Sequence, residues 1–457
     1  MKKNLSILAT ILMATSLIGV ASCEKPQEST PQGSEPGTSE DKYAGLEGTA
    51  LDVAKASDMT LAELEAASKA EMEASKDTFK VVGLTSTLSK AMDKFAESYD
   101  WIVSEKEAEK DATLKVNTYC NNSYKDYALL TALDAAYDSY FADFALVQDA
   151  RSLADYLEAG VTHNYVPSDH EELGLAEADT YPLKGIHFNK IFYTHKDFEA
   201  TTGKKLYNIW QVAGSAEDPD HLAKFSFQSP VTEQINMSFL LSCYAEENQA
   251  KIKDAYKKYY GKDWASDKYA SAGEQWVTEM IANVSTWHKS DGDSMKKTII
   301  NAKDTVFYGA FAKMKDAAGK TTEIDGQEVN VMTLVDWDLE IEGFNGFMYT
   351  MYSQIVNNAK HPYTACLYAR NLLLPDNYKA MCYNSSTPNK ANEKANMYGY
   401  YYPCKSETVG INDNDWTKEQ WIAKSVNEDY NYLKTIKTAQ VNSLLVLVNS
   451  SKAEVMK

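Results

Sequence analysis

The sequence predicts an α/β protein of two lobes, each built on a mainly parallel sheet covered by helices. Short apolar runs of strand length alternate with amphipathic helical stretches from Thr60 onward, and a fresh round of that alternation begins near residue 183. A chain of 457 residues with 44% hydrophobic content is also long enough to divide into two lobes.

The body opens with TLAELEAASKAEMEAS, an Ala- and Glu-rich helix behind a threonine cap, which leads into the strand FKVVGL. TSTLSKAMDKFAESY follows as a helix. Its Leu88, Met92, Phe95 and Tyr99 recur at helical spacing, and the Thr85-Ser86-Thr87 hydroxyls cap its start. A second round gives LKVNTY as strand and YALLTALDAAYDSY as helix, with Leu129, Leu133, Ala136, Tyr137 and Tyr140 on one face. FALVQDA is a third strand ending in Asp149, and RSLADYLEAG a short helix stopped by Gly160. This alternation places a mostly parallel sheet between helical layers.

GIHFNKIFYTH reads as a longer alternating strand with Ile186, Phe188 and Phe192 on one side. It opens a second set: the strand KFSFQSP, a helix from Thr232 through Ala245, the helix KIKDAYKKYYG, and then SAGEQWVTEMIANVSTWHK. Further on, VNVMTLVDWDLEIEGFNGFMYTMYSQIV holds strand-like runs broken by Gly343 and Gly346. In AKHPYTACLYARNLLLPDNYKAM, Pro362 occupies a first helical turn, where its missing N–H costs nothing. Ala365, Tyr368, Ala369, Leu372 and Leu373 form its inward stripe, and Pro375 ends the helix.

The N-terminus reads as an export signal: Lys2-Lys3, an apolar run from Leu5 to Ile18, then Val20-Ala21-Ser22-Cys23. That run is too short and too early for a spanning helix, and no other segment is long and apolar enough. Because the cleavage site ends in cysteine, it resembles a bacterial lipobox. The resemblance implies a signal peptide over residues 1–22 and acylation of Cys23 by a palmitate-type chain. The following residues, EKPQESTPQGSEPGTSEDK, contain no large apolar side chain, so residues 23–42 form a flexible linker.

The formal charge of −19 becomes −21 when Lys2 and Lys3 leave with the signal, which disfavours a nucleic-acid partner. Five cysteines remain in the body, at 120, 243, 366, 382 and 404, without zinc-type spacing. Cys382 and Cys404 either close a loop or stay as buried thiols. The seven histidines are scattered, and there is no H-E-x-x-H, P-loop, G-x-S-x-G or dinucleotide fingerprint. NDND, at 412–415, lacks the glycine and terminal glutamate of an EF-hand loop. These patterns predict no enzyme, no cofactor and no resident metal.

AKHPYTACLYARNLLLPDNYKAM is similar to the segment of bacterial extracellular solute-binding proteins in which an Ala-Lys-His-Pro turn opens a helix running to a Leu-Leu-x-Pro end. LAELEAASKAEMEASKDTFKVVGLTS resembles that family's opening helix and first strand, and FALVQDARSLADYLEAG its third strand and short helix. FSFQSPVTEQINMSFLLS is similar to the strand, turn and helix that open its second lobe. The matches lie in order over most of residues 43–380. Residues 385–457 have no counterpart, and the paired-tyrosine ferric site is not clearly present, although Tyr259-Tyr260 and YGYYYP occur.

The resemblance implies a two-lobed type II periplasmic-binding-protein-like fold with crossing hinge strands. Lobe one takes residues 43–182, lobe two residues 183–345, and residues 346–457 return to lobe one and add C-terminal helices. It further implies a lipid-anchored protein on the cell membrane, facing the periplasm or the exterior. Such a protein captures a small molecule or ion in an interlobe cleft and hands it to ABC permease subunits. The alternative is a surface lipoprotein using the same fold to bind a protein or glycan without transport.

Open α/β sheets bind ligands beyond the carboxyl ends of their strands, where helix N-termini offer free N–H groups. Ser86, Thr87 and Asp149 lie at such turns in lobe one, and Ser229 and Thr232 in lobe two; Tyr308 and Trp337 are candidate walls. Each hydroxyl also reads as a helix cap, Asp149 as the cap of Arg151–Leu157, and each aromatic as core. The charge of the ligand stays open at this level.

The anchor is directly testable. Cys23→Ala should release the protein from the detergent-partitioning fraction or stall its processing; unchanged partitioning with an unchanged N-terminus would contradict the lipoprotein reading.

Overall fold

A computed structural model describes residues 41–85, 87–123, 140–382, 398–409 and 415–455. Ser86, Asn412–Asn414 of NDND, and the helix expected over 127–140, apart from Tyr140, lie outside the described residues. The chain forms two compact units, Met1–Gly45 and Leu46–Lys457. The described part of the first contains one short 3-10 turn, Asp41–Tyr43. Everything below concerns the second, which contains every residue of both hydrophobic cores and so carries its own folding information. Among the described residues, no helix is long and apolar enough to cross a membrane.

The centre of the body is one mixed sheet. Its two longest strands, Lys184–His195 and Gly346–Val356, run antiparallel side by side, with Ile191 opposite Gly346 and Phe188 opposite Tyr349. On the flank of Gly346–Val356 lie Phe144–Val147, Phe79–Gly83 and Thr118–Asn121, parallel to one another. On the flank of Lys184–His195 lie Val306–Ala310, Phe225–Gln228, Thr286–His288 and the C-terminal Glu454–Val455, again mutually parallel. This is a two-lobed α/β fold in which two strands cross between parallel halves.

Gly346 makes the crossing possible. A Cβ there would collide with the Lys190 carbonyl oxygen of the neighbouring strand, so only glycine lets the two backbones pair at this point. Lys184–His195 also departs from the single apolar side expected of it. Ile186, Phe188 and Phe192 join the main core, while Ile191 and Tyr193 enter a second core with Phe307, Phe311 and Trp421. A central strand covered on both faces has no solvent side, so the alternation in its sequence sorts residues between two cores.

The helices form where local chemistry directs them. Thr60 and Glu63 make a reciprocal capping box on Leu61–Ala74. Pro362 opens Pro362–Leu372, whose Ala365, Tyr368, Ala369 and Leu372 are buried. Pro375 follows the end of that helix and at once opens Pro375–Cys382, because a proline tolerates a first helical turn at either task. The second-lobe helix expected from Thr232 to Ala245 is shorter, Gln234–Ser242, since Thr232 is held in a turn by the Ser229 carbonyl.

Two carboxylates tie remote segments together. Asp143 is fully buried and accepts from the backbone N–H groups of Lys80 (2.7 Å), Lys360 (2.8 Å) and His361 (3.0 Å). Glu71 accepts from the N–H groups of Tyr363 (3.2 Å) and Thr364 (2.9 Å), satisfying the open end of Pro362–Leu372. All five cysteines at 120, 243, 366, 382 and 404 are free thiols, so Cys382 and Cys404 do not pair.

The chain after residue 398 spreads over both halves. Tyr400–Tyr401 pairs with His187 and Phe188 of one crossing strand, and Ser425–Asn427 runs parallel to Gly346–Met348 of the other. The short helix Tyr430–Leu433 then packs against both Ala150–Glu158 and Gln234–Ser242. Helix Thr438–Ser450 lies on Ala272–Asn283, and Glu454–Val455 adds the outermost strand beside Thr286–His288. The end of this region, expected in lobe one, thus lies at the far edge of the half that holds Thr286–His288.

Burial raises several carboxyls well above their ordinary range, Asp415 to about 7 among them. Desolvation lifts Glu71 to about 7 despite its three hydrogen bonds. It lifts Glu428 to about 8, although Oε2 accepts from the Thr350 N–H and the Tyr352 hydroxyl. These carboxyls keep protons in the fold that the unfolded chain releases above about pH 4.5, so their own contribution to stability is fullest below that pH and is lost as pH rises toward 8. The urea midpoint of the wild type relative to that of Glu428→Gln should fall between pH 5 and pH 8; a difference that stays constant or grows over that range would contradict the raised Glu428 carboxyl.

Candidate ligand-binding site

A cavity of about 520 Å³ lies where the two halves meet. Thr85, Asn122 and Asp149 reach it from one side, just past the carboxyl ends of Phe79–Gly83, Thr118–Asn121 and Phe144–Val147. Thr232, Ser290 and Lys313 reach it from the other, past Phe225–Gln228, Thr286–His288 and Val306–Ala310. Its floor is the crossing pair itself: Phe188 and Lys190 from one strand, Tyr349 and Met351 from the other, with Tyr400 alongside. Parallel strands expose such a crevice at their carboxyl ends because the chain must turn there into the next helix.

Asp149 is the hub of one wall. It is buried, caps helix Ala150–Glu158 through the Arg151 N–H (3.0 Å), and accepts from the Ser152 hydroxyl (2.7 Å). Its Oδ1 also accepts from Ser238 Oγ at 3.1 Å, and Ser238 belongs to Gln234–Ser242 of the opposite half. A single carboxylate therefore joins helices from both sides of the cavity.

The other wall carries a charged relay. Lys190, only 2% exposed, places Nζ 3.0 Å from Asp291 Oδ2. Asp291 Oδ2 also accepts from the Ala310 N–H (3.0 Å), and its Oδ1 lies 2.9 Å from His288 Nε2. Burial pushes the Asp291 carboxyl up, but the Lys190 ammonium and His288 outweigh it and hold the group well below the usual range. An ionised carboxylate only accepts, so His288 Nε2 carries the proton and Nδ1 faces Ser226 Oγ at 3.0 Å. Gly309 makes room for this relay, since a Cβ there would come within 2.9 Å of Asp291 Oδ1. Ser226 and His288 lie behind the lining, so the relay orients Asp291 and Lys190 and offers no exposed nucleophile.

On the floor, Phe188 stacks on Tyr349 with ring centroids 5.6 Å apart, and Tyr400 packs on Phe188 at 4.9 Å. Lys315 donates to the Tyr400 hydroxyl at 2.7 Å, and its own burial lowers its pKa to about 8.

Of the residues singled out from sequence, Asp149 and Thr232 line the cavity from opposite sides. Thr87 does not: it is buried, with Oγ1 3.0 Å from the hydroxyl of Thr85, which does line it. Ser229 serves the turn through its carbonyl and stays off the wall. Tyr308 is no wall either, because its ring is enclosed by core aromatics and stacks on Phe239 at 4.7 Å. Trp337 packs with Phe311, Trp416 and Trp421 in the second core. Ser86 lies outside the described residues. The sequence reading missed Lys190, Tyr349, Tyr400 and Asp291. One signal was available for Lys190: it is a lysine inside GIHFNKIFYTH, where a doubly covered strand must bury it.

No protein-family model matches this chain, and no curated protein sequence matches it. Solved structures do resemble it. Trichodesmium IdiA (FutA), in complex with iron and citrate, is 14% identical with a TM-score of 0.52, over 81% of this chain and 99% of that one. Iron-bound HitA from Pseudomonas aeruginosa is 11% identical with a TM-score of 0.52, over 82% of this chain and 98% of that one. The periplasmic binding protein MotA from A. tumefaciens B6, in complex with glucopine, is 11% identical with a TM-score of 0.50, over 81% and 99%. At such identities the likeness concerns the fold alone: the chain shares the two-lobed α/β fold of these proteins, with its cavity at the strand ends.

The Lys190–Asp291 pair is buried, so removing one partner leaves the other charge uncompensated. Asp291→Asn should cost about 3 to 5 kcal/mol of unfolding free energy, measured in urea, and Lys190→Met in the same chain should recover much of it. Additive losses in the double variant would show that the two groups act independently.

Proposed function

We propose that this chain is a lipid-anchored, extracytoplasmic solute-binding protein. With residues 1–22 removed and Cys23 acylated, residues 23–42 tether two lobes, residues 43–182 with the return after residue 346 and residues 183–345. The lobes close on a small ligand and pass it to the permease of an ABC import system, without chemistry. Supporting this reading above all is the cavity between the carboxyl ends of two sets of parallel strands, floored by two long strands that cross between them. Asp149, Thr232 and Lys190 face the ligand. Asp149 and Ser238, already in contact across the cavity, belong to the closed arrangement. A ligand that touches both walls binds that arrangement better and shifts the population toward it.

One feature favours a second reading, a surface lipoprotein that binds without transport. Tyr430–Leu433 packs on a helix from each half and so ties them together, which limits opening.

A thermal-shift screen against sugars, organic acids, amino acids, phosphonates, polyamines and metal ions should yield at least one stabilising ligand, worth about 2.7 kcal/mol at a hundredfold excess over Kd. Spin labels on Lys106→Cys and Lys257→Cys, one exposed site in each half, should then report a shorter distance with that ligand. A ligand that stabilises without changing the distance favours the second reading, and a screen with no stabilising compound contradicts both.

A further inference from the structure

We propose that the cavity takes an organic anion, with its acid group at Lys190 and its apolar body on Phe188, Tyr349 and Tyr400. This deepens the solute-binding reading and rests on it.

The inference follows from which charges facing the cavity are already used. Asp149 is engaged by Arg151, Ser152 and Ser238, and Asp291 by His288, the Ala310 N–H and Lys190. Glu233, the remaining carboxylate of the lining among the described residues, is not free either. The cations are less committed. Lys190 pairs with Asp291 at 3.0 Å, which engages one of its three N–H donors, so a nearly buried ammonium lines the cavity with its other donors unused by the described residues. Three donors sit on an ammonium, and a buried one left unmet carries a large desolvation cost. On the rim, Lys313 reaches its nearest carboxylate, Asp316, only at 3.8 Å.

The ligand has a body as well as a charge. Phe188 and Lys190 lie two residues apart on one strand and so face the same way, which sets the aromatic floor beside the ammonium. A bare cation meets the wrong sign at Lys190, and the described residues contain no group of three or more His, Cys, Asp or Glu side chains that could hold a metal ion. A cavity of about 520 Å³ also falls in the size range of pockets that enclose a whole organic molecule.

The test uses residues 43–457, which include the whole self-contained unit. They are titrated by fluorescence with 8-anilinonaphthalene-1-sulfonate and with N-phenyl-1-naphthylamine, which has the same rings without the sulfonate. The sulfonate should bind one per chain and about tenfold tighter than the neutral compound, as expected for a charge-assisted contact. Lys190→Met should erase that preference and leave neutral binding in place. Because Lys190 is buried, folding of the variant is checked by circular dichroism, and Thr232→Val on the exposed turn provides a second variant that should weaken both compounds. Equal binding of the two compounds, a preference that survives Lys190→Met, or no sulfonate binding would each overturn the anion assignment. Stabilisation by Fe³⁺ alone would overturn it too, while leaving a solute-binding cavity standing. No binding of either compound, together with no stabilising solute in the screen, would overturn both readings.

Discussion

The structure depends on the pairing of Lys184–His195 with Gly346–Val356. Among the described residues these strands join the two parallel sets in hydrogen-bonding register, and they meet where Gly346 lets the backbones close. Their antiparallel run turns the carboxyl ends of the strands on each flank toward a common space. The same strands then furnish its floor, so the element that unites the fold also brings Lys190 and its aromatic neighbours to the cavity. A strand buried on both faces has little freedom, and function here is built on one of the most constrained parts of the chain.

Two buried carboxylates show how polar groups are used inside this body. Asp143 collects backbone N–H groups from two separate stretches, Lys80 and Lys360–His361, and fixes the turn that opens Pro362–Leu372. Its role is complete within the fold, since its neighbours are protein donors. Asp291 is different. It neutralises Lys190 and orients it through His288 and Ser226, but the ammonium keeps donors that the protein does not satisfy. Buried polar groups are normally matched, and at Lys190 the mismatch falls on the cavity wall.

The C-terminal residues change how the two halves relate. Tyr400–Tyr401 and Ser425–Asn427 attach to the crossing strands, Tyr430–Leu433 touches a helix of each half, and Glu454–Val455 closes one sheet edge. An edge strand added there also covers otherwise unpaired backbone groups. Residues 398–455 thereby act as a brace whose attachment points lie on both sides of the cavity.

The alternation of strands and helices, the capping box at Thr60, the proline brackets of Pro362–Leu372 and the turns at Asp149 and Thr232 were all legible in the sequence. Each depends on residues close together in the chain, where spacing and side-chain type already dictate the local backbone. The cavity was less legible. Thr87 and Thr85 are two residues apart in the same turn, yet one is buried and the other lines the wall, a choice made by packing. Tyr308 and Trp337 look like ligand walls in isolation, but the core takes them because neighbouring aromatics from distant strands enclose them. The sequence by itself determined which segments become strands, helices and turns. Only the tertiary structure decided that Lys190, Asp291, Tyr349 and Tyr400 share one space, because the crossing that unites them joins residues far apart in the chain through backbone pairing and burial, neither of which leaves a local signature.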